Sequence, residues 1–147
     1  MLPLLVTSAL LIGALMPFQS LINAELSTHL GSPLQSALVS FSVGMISLFL
    51  ITIFSPNAYP SFSTITKIPP LLFIGGFFGV LMVGASIVLV PKMGSALMMG
   101  GFVCGQILMS LIIDHYGWMG VPVNPLSMTR LAGGIFMLIG LGLFFKG

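Results

Sequence analysis

The sequence has very little charge. Lysine, arginine, aspartate and glutamate together make up 4% of its 147 residues, whereas soluble domains carry about 25%. A chain with so few charged side chains cannot cover itself with a wettable surface. Because 57% of the residues are hydrophobic and the mean hydropathy is +1.21, the composition predicts an integral membrane protein. The net charge of +2 rests on four basic and two acidic side chains, so it gives no indication of a nucleic-acid partner.

Cysteine and catalytic groupings are also scarce. Cys104 is the only cysteine, so no disulfide framework is expected. The sequence contains no nucleophile next to a base, no phosphate-binding loop and no paired carboxylates, so we do not expect an enzyme. In the topology derived below, His29 and His115 fall on opposite sides of the membrane. The sequence therefore indicates neither a metal site nor a cofactor.

Long apolar runs are what the sequence has instead. A helix needs about 20 apolar residues to cross a bilayer, and five segments meet this length. No lysine or arginine precedes the first of them, so we expect a transmembrane helix there rather than a cleaved signal peptide. The sequence predicts an all-α membrane protein, with a single transmembrane domain over residues 1–147. The helices are expected at residues 3–24, 34–54, 70–90, 95–114 and 128–146.

The residues between these segments support the division. Ser32 and Pro33, with Gln35 three residues after the serine, have the pattern of a helix start. Residues 25–33 are expected as a loop, and residues 90–95 as a tight turn. Longer loops are expected over residues 55–69 and 115–127, the first rich in proline and serine.

The positive charges are divided equally between the two sides of the membrane. With five crossings, Lys67 and Arg130 lie on one side, and Lys92 and Lys146 lie on the other. Orientation normally follows an excess of lysine and arginine on the cytoplasmic side. Here each side has two such residues, so neither side has an excess. One alternative is that a subtler bias selects a single orientation. The other is dual topology, in which copies insert both ways and pair as an antiparallel homodimer.

The number of helices agrees with the second alternative. Many transporters consist of two inverted repeats around a site near the membrane midplane. Five helices form a plausible single repeat and leave the two termini on opposite faces. One chain has too few helices to enclose a path, whereas two antiparallel copies supply both halves.

Small residues four positions apart let membrane helices approach closely. Each such motif is also explained by ordinary packing within one subunit. The positions are Gly75 with Gly79, Gly101 with Gly105, and Ser40 with Gly44.

Four polar side chains lie inside the predicted spans at helical spacing. Gln19 and Asn23 share one side of the first helix, and Gln106 and Ser110 follow one another on the fourth. We expect them to line a solute pathway. The alternative is that they join helices by hydrogen bonds, which contribute about 0.6 kcal/mol on average in membranes. Pro17 is expected to free the carbonyl of the residue four before it and to kink the first helix.

Asp114 and His115 end the fourth helix. Proton-coupled exporters of similar size depend on a carboxylate in mid-membrane, where a charge costs about 2.5–3.5 kcal/mol on insertion scales. This chain has no carboxylate there. If protons are coupled to transport, Asp114 is the better candidate, with His115 beside it as part of a gate. The alternative is that both mark the water boundary and that Asp114 pairs with Arg130 at the start of the next helix.

Several short motifs resemble a known family in their order and spacing. The motifs are Gln19-x-x-x-Asn23, Gly31-Ser32-Pro33, Ser40-Phe41-x-x-Gly44, Pro91-x-x-Gly94 and Gly105-Gln106 with Asp114-His115-x-Gly117. Over essentially the whole chain, they resemble the YdcZ-like, five-helix proteins of the bacterial inner membrane, within the drug/metabolite transporter superfamily. The resemblance implies a multi-pass inner-membrane protein and an antiparallel two-domain assembly. The second domain would come from the same protein, from an oppositely oriented paralogue or from a fusion. The resemblance implies neither a substrate nor a set of binding residues.

The leading hypothesis is a secondary transporter that exports a small polar or weakly charged solute by alternating access. Its partners would be membrane lipid, the solute and a second, antiparallel copy. A small dual-topology ion channel is the alternative from another class. A third possibility is an accessory membrane subunit without transport activity of its own.

Overall fold

The computed structural model describes residues 2–55 and 59–146, and these residues form helices without any strand. Five candidate membrane spans occur among them, at Leu2–Leu30, Pro33–Ile53, Pro70–Met93, Ser95–Tyr116 and Met128–Lys146. The helices are α1 (Leu2–Gly13), α2 (Leu15–Leu30), α3 (Pro33–Ile53), α4 (Phe62–Ile65), α5 (Gly75–Met93), α6 (Ser95–Tyr116) and α7 (Met128–Lys146). The prediction of an all-helical protein with five transmembrane segments is confirmed.

The first span is interrupted where Pro17 predicts a kink. Its two helices, α1 and α2, are separated by Ala14. Proline has no N–H to donate to the carbonyl four residues earlier, and this carbonyl belongs to Gly13. The expected end at residue 24 is wrong, because α2 continues to Leu30 and stops at Gly31, which has a φ of 72°. A left-handed glycine is a common helix terminus.

The second span begins as the sequence predicts. Ser32 is the N-cap of α3, Pro33 follows it, and the Ser32 hydroxyl accepts a hydrogen bond of 3.5 Å from the backbone N–H of Gln35. This contact satisfies one of the amide groups that have no partner inside the helix.

The predicted turn over residues 90–95 is much shorter in the structure. Residues 70–74 form a 3₁₀ helix that continues into α5, and α5 includes Pro91 in its last turn and ends at Met93. Gly94 alone separates α5 from α6, with a φ of 80°. Backbone with a positive φ is accessible to glycine at little cost, so one residue is enough to end one helix and begin the next.

The long loops contain short helical pieces. α4 lies in the loop after α3, where the Ser61 hydroxyl accepts a hydrogen bond of 3.3 Å from Thr64 N–H. Residues 56–58 of this predicted loop lie outside the described residues. The loop after α6 contains a 3₁₀ turn at Trp118–Gly120.

Packing divides the chain into two compact units, Met1–Lys92 and Met93–Gly147. In the first unit, α2 packs against α1 and α3, and in the second unit α6 packs against α7. Within the second unit, the Cys104 thiol donates to the Met137 carbonyl at 3.5 Å. The described residues of α1 are all exposed. Apolar helices with exposed faces are expected in lipid, where the surrounding chains are as apolar as leucine.

Candidate functional site

The pair α2–α3 carries polar side chains on facing turns. The Ser36 hydroxyl of α3 donates a hydrogen bond of 2.6 Å to the backbone carbonyl of Asn23 on α2. Both residues are buried, with exposed fractions of 0% for Ser36 and 4% for Asn23. Because the two helices are joined by a short turn and run antiparallel, this contact sets their register and fixes which residues face each other one turn further along.

The side chain of Asn23 takes no part in this contact, which uses the backbone carbonyl. Its amide nitrogen, Nδ2, is buried and has no hydrogen-bond partner among the described residues. Leaving a buried donor without a partner costs about 1–3 kcal/mol, and such groups are rare enough in native proteins that each calls for an explanation. Asn23 therefore places two N–H bonds inside the first unit that a solute or a water molecule could satisfy.

One turn along the pair, Gln19 of α2 and Ser40 of α3 line a cleft of about 400 Å³. Gln19 is exposed and Ser40 is half-buried. The sequence predicted Gln19 for a solute pathway, but assigned Ser40 and Gly44 to helix packing, whereas in the structure both line this cleft. The remaining lining residues, which sequence reasoning missed, are Phe41, Met45 and Leu48.

The second polar row lies on α6, in the other unit. Gln106 and Ser110 are exposed, while Asp114 and His115 are half-buried at the C-terminal end of the helix. Gln106, Ser110 and Asp114 follow one another at intervals of four residues along one helix, because α6 is continuous from Ser95 to Tyr116.

Asp114 makes an ion pair with Arg130, which lies in the first turn of α7. The exposed fractions of the two side chains are 29% and 25%. Arg130 also donates from Nη1 to the Asn124 carbonyl at 2.6 Å, and the Asn124 N–H donates to the Asp114 carbonyl at 2.8 Å. These contacts tie the start of α7 to the end of α6, so the pairing that the sequence offered as an alternative role for Asp114 is confirmed.

His115 stabilises the same loop. The backbone N–H of Leu126 donates to its Nδ1 atom at 3.2 Å. The ring packs edge to face on Tyr116, which is stacked on Trp118 at a centroid distance of 6.0 Å. Stacked aromatic residues at a helix end are typical of the membrane–water boundary.

The glycines predicted for packing behave differently from one another. A Cβ placed on Gly79 would lie 3.6 Å from the ring of Phe41, whereas one on Gly75, Gly101 or Gly105 would meet nothing within 4 Å. Gly79 is thus part of a contact inside the first unit. The faces at the other three glycines remain open to lipid or to another chain.

A second cleft lies between α6 and α7 within the second unit. It has a volume of about 380 Å³ and is lined by Met93, Leu97, Gly101, Leu138, Leu141, Gly142 and Phe145. None of these side chains is polar. Within the described part of the chain, no three His, Cys, Asp or Glu side chains come together as a group that could hold a metal ion.

The chain was compared with protein families, curated proteins and solved structures. A family model described as "Putative inner membrane exporter, YdcZ" matches residues 4–143, which is almost the whole chain. No curated protein and no solved structure matches the chain.

Proposed function

The chain belongs to the YdcZ family, whose model is described as an inner membrane exporter, and we propose that it exports a small polar or weakly charged solute by alternating access. The family and the five apolar helices make it a multi-pass protein of the inner membrane. The proposal adds a solute class, a mechanism and a pathway to that description.

The observation that carries the proposal is the placement of polar groups inside spans that contain no charge at that depth. Gln19 and Ser40 share an open cleft, and Asn23 holds a buried donor one turn away. A polar group in a membrane interior is costly without a partner. A row of such groups beside an open cleft is suited to a passing solute that supplies the missing hydrogen bonds.

The second part of the pathway is assigned to α6. Gln106 and Ser110 lie on the same helix as Asp114, which is at the end of that helix and pairs with Arg130 of α7. We assign Gln106 and Ser110 to the solute path, and Asp114 and His115 to a gate at its mouth. Any coupling role of Asp114 would first require its ion pair with Arg130 to break.

The assembly in this proposal is an antiparallel homodimer, or a pair with an oppositely oriented paralogue. Two positive charges on each side give no preferred orientation. The exposed apolar face of α1 and the open glycine faces of α6 are surfaces on which a second chain could pack. Two inverted copies would supply both halves of an alternating-access pathway.

The proposal is tested by uptake in liposomes that contain the purified protein. A panel of radiolabelled amides, amines and alcohols is screened with wild type, Gln106→Ala and Asp114→Asn in parallel. We expect saturable uptake of at least one solute by wild type and a clear loss in at least one variant. Uptake that is identical in wild type and both variants would show that the assigned pathway is wrong.

A further inference from the structure

The cleft between α2 and α3 has a polar end and an apolar end. Gln19 and Ser40 supply its polar lining, while Gly44, Met45 and Leu48 follow Ser40 along α3. From Ser40 to Leu48 the helix rises by about 12 Å, at 1.5 Å per residue. The volume of about 400 Å³ lies within the range of sites that hold small molecules.

The polar end has hydrogen-bonding groups that the protein itself does not use. Ser42 and Ser47 donate to carbonyls of their own helix, those of Leu38 and Val43, at 2.8 Å in both cases. Among the residues that the structure describes, Ser40 and Gln19 make no such hydrogen bond. Gln19 and Ser40 therefore offer both donor and acceptor atoms to a bound molecule, and the unpartnered Nδ2 of Asn23 lies one turn further along the pair.

The cleft between α6 and α7 provides an internal comparison. It has nearly the same volume, about 380 Å³, and is also lined by methionine, leucine, glycine and phenylalanine. It differs in having no polar side chain. The two clefts are therefore alike in size and apolar lining. The α2–α3 cleft differs in its polar end.

We propose that the α2–α3 cleft binds a neutral amphipathic solute, with a hydrogen-bond acceptor at Gln19 and Ser40 and an apolar body along Met45 and Leu48. The assignment deepens the proposed function and rests on it for the solute's passage. No charged side chain lines the cleft, so an ionised head group would lose its hydration without gaining a counter-charge. A carbonyl group, in contrast, accepts from the amide and hydroxyl donors that are present.

The test uses benzophenone, a neutral molecule with one carbonyl and two apolar rings that inserts into nearby C–H bonds on irradiation. The full-length protein is labelled in liposomes, and adducts at Met45 and Met93 are quantified by mass spectrometry. Met45 has an exposed fraction of 66% and Met93 one of 39%, so the readout is the change in their labelling ratio, not the ratio itself.

Gln19→Leu and Ser40→Ala should each lower the Met45-to-Met93 ratio by about 2- to 10-fold, the equivalent of one hydrogen bond. Gln35→Leu, which removes an exposed amide elsewhere on α3, should leave the ratio unchanged. Methyl benzoate, which has an acceptor, should compete at Met45, and propylbenzene, which has none, should not.

The proposal is overturned if Gln19→Leu and Ser40→Ala leave the ratio as it is in wild type. It is also overturned if propylbenzene competes as well as methyl benzoate, because the cleft would then be a groove for apolar chains only. Labelling is measured without transport, so selective labelling in a protein that moves no solute would contradict the proposed function alone. Unselective labelling in an actively transporting protein would contradict the site alone.

Discussion

The hydroxyl of Ser36 donates a 2.6 Å hydrogen bond to the backbone carbonyl of Asn23, and this contact joins two helices in their buried interface. Ser36→Ala should lower the free energy of unfolding by about 1 kcal/mol, the usual net value of one hydrogen bond. Ser42→Ala is the matched control, because the Ser42 hydroxyl is bonded only to its own helix. Thermal denaturation of the purified variants in detergent measures both, and an equal loss in the two variants would contradict an interhelical role for Ser36.

The ion pair between Asp114 and Arg130 should matter more for stability than an exposed pair does. Both side chains are half-buried and Arg130 also binds the Asn124 carbonyl. Arg130→Ala should cost about 1.5–3 kcal/mol, the value of hydrogen bonds to charged groups. Lys67→Ala, at an exposed position, should have almost no effect.

A double-mutant cycle with Asp114→Ala separates this pair from general packing. Contacting residues show interaction energies of about 0.5–3 kcal/mol. Additive effects of the two substitutions would mean that the carboxylate and the guanidinium group do not depend on each other.

Gly117 is required by its backbone conformation and by its surroundings. Its φ is 63°, and an added Cβ would lie 2.6 Å from a methyl carbon of Val123 and 3.2 Å from the Val121 carbonyl. Gly117→Ala should therefore destabilise the protein by about 1–3 kcal/mol. Gly133→Ala is the control, since a Cβ there meets nothing within 4 Å and alanine favours a helix by up to about 1 kcal/mol. Equal melting temperatures for the two variants would contradict this account.

The equal charge count makes membrane orientation sensitive to single substitutions. Lys67→Ala leaves one positive charge on the side of Arg130 and two on the side of Lys92 and Lys146. Lys92→Ala reverses this imbalance. With a C-terminal reporter, wild type should appear on both faces of the membrane. The two variants should shift it to opposite faces. A reporter that stays on one face in all three proteins would exclude the homodimer with dual topology.

The membrane spans could be predicted to within a few residues because each apolar run is bounded by proline, glycine or polar residues. The main error was at the end of α2, where Glu25 and His29 end the apolar run but not the helix. Polar and charged side chains can continue a helix, and α2 ends only at Gly31. The expected turn at residues 90–95 was too long because Pro91 fits within the last turn of α5.

The site was predictable along each helix but not between helices. The spacing of Gln19 and Asn23 follows from helical periodicity alone. Their partners, Ser36 and Ser40, depend on how α2 and α3 slide past each other, and packing determines that register. The pairing of Asp114 with Arg130 was easier to anticipate, because the two residues flank one loop.

The most direct test of the account is counterflow in liposomes, with the solute that the uptake screen identifies. Liposomes are loaded with unlabelled solute and diluted into a trace of labelled solute. An alternating-access carrier exchanges one for the other, so labelled solute should rise transiently above its external concentration in wild type. The overshoot should be smaller with Gln19→Ala and with Gln106→Ala, and should be unchanged with Gln35→Ala. Labelled solute that only equilibrates, without any overshoot, would contradict alternating access and indicate a channel.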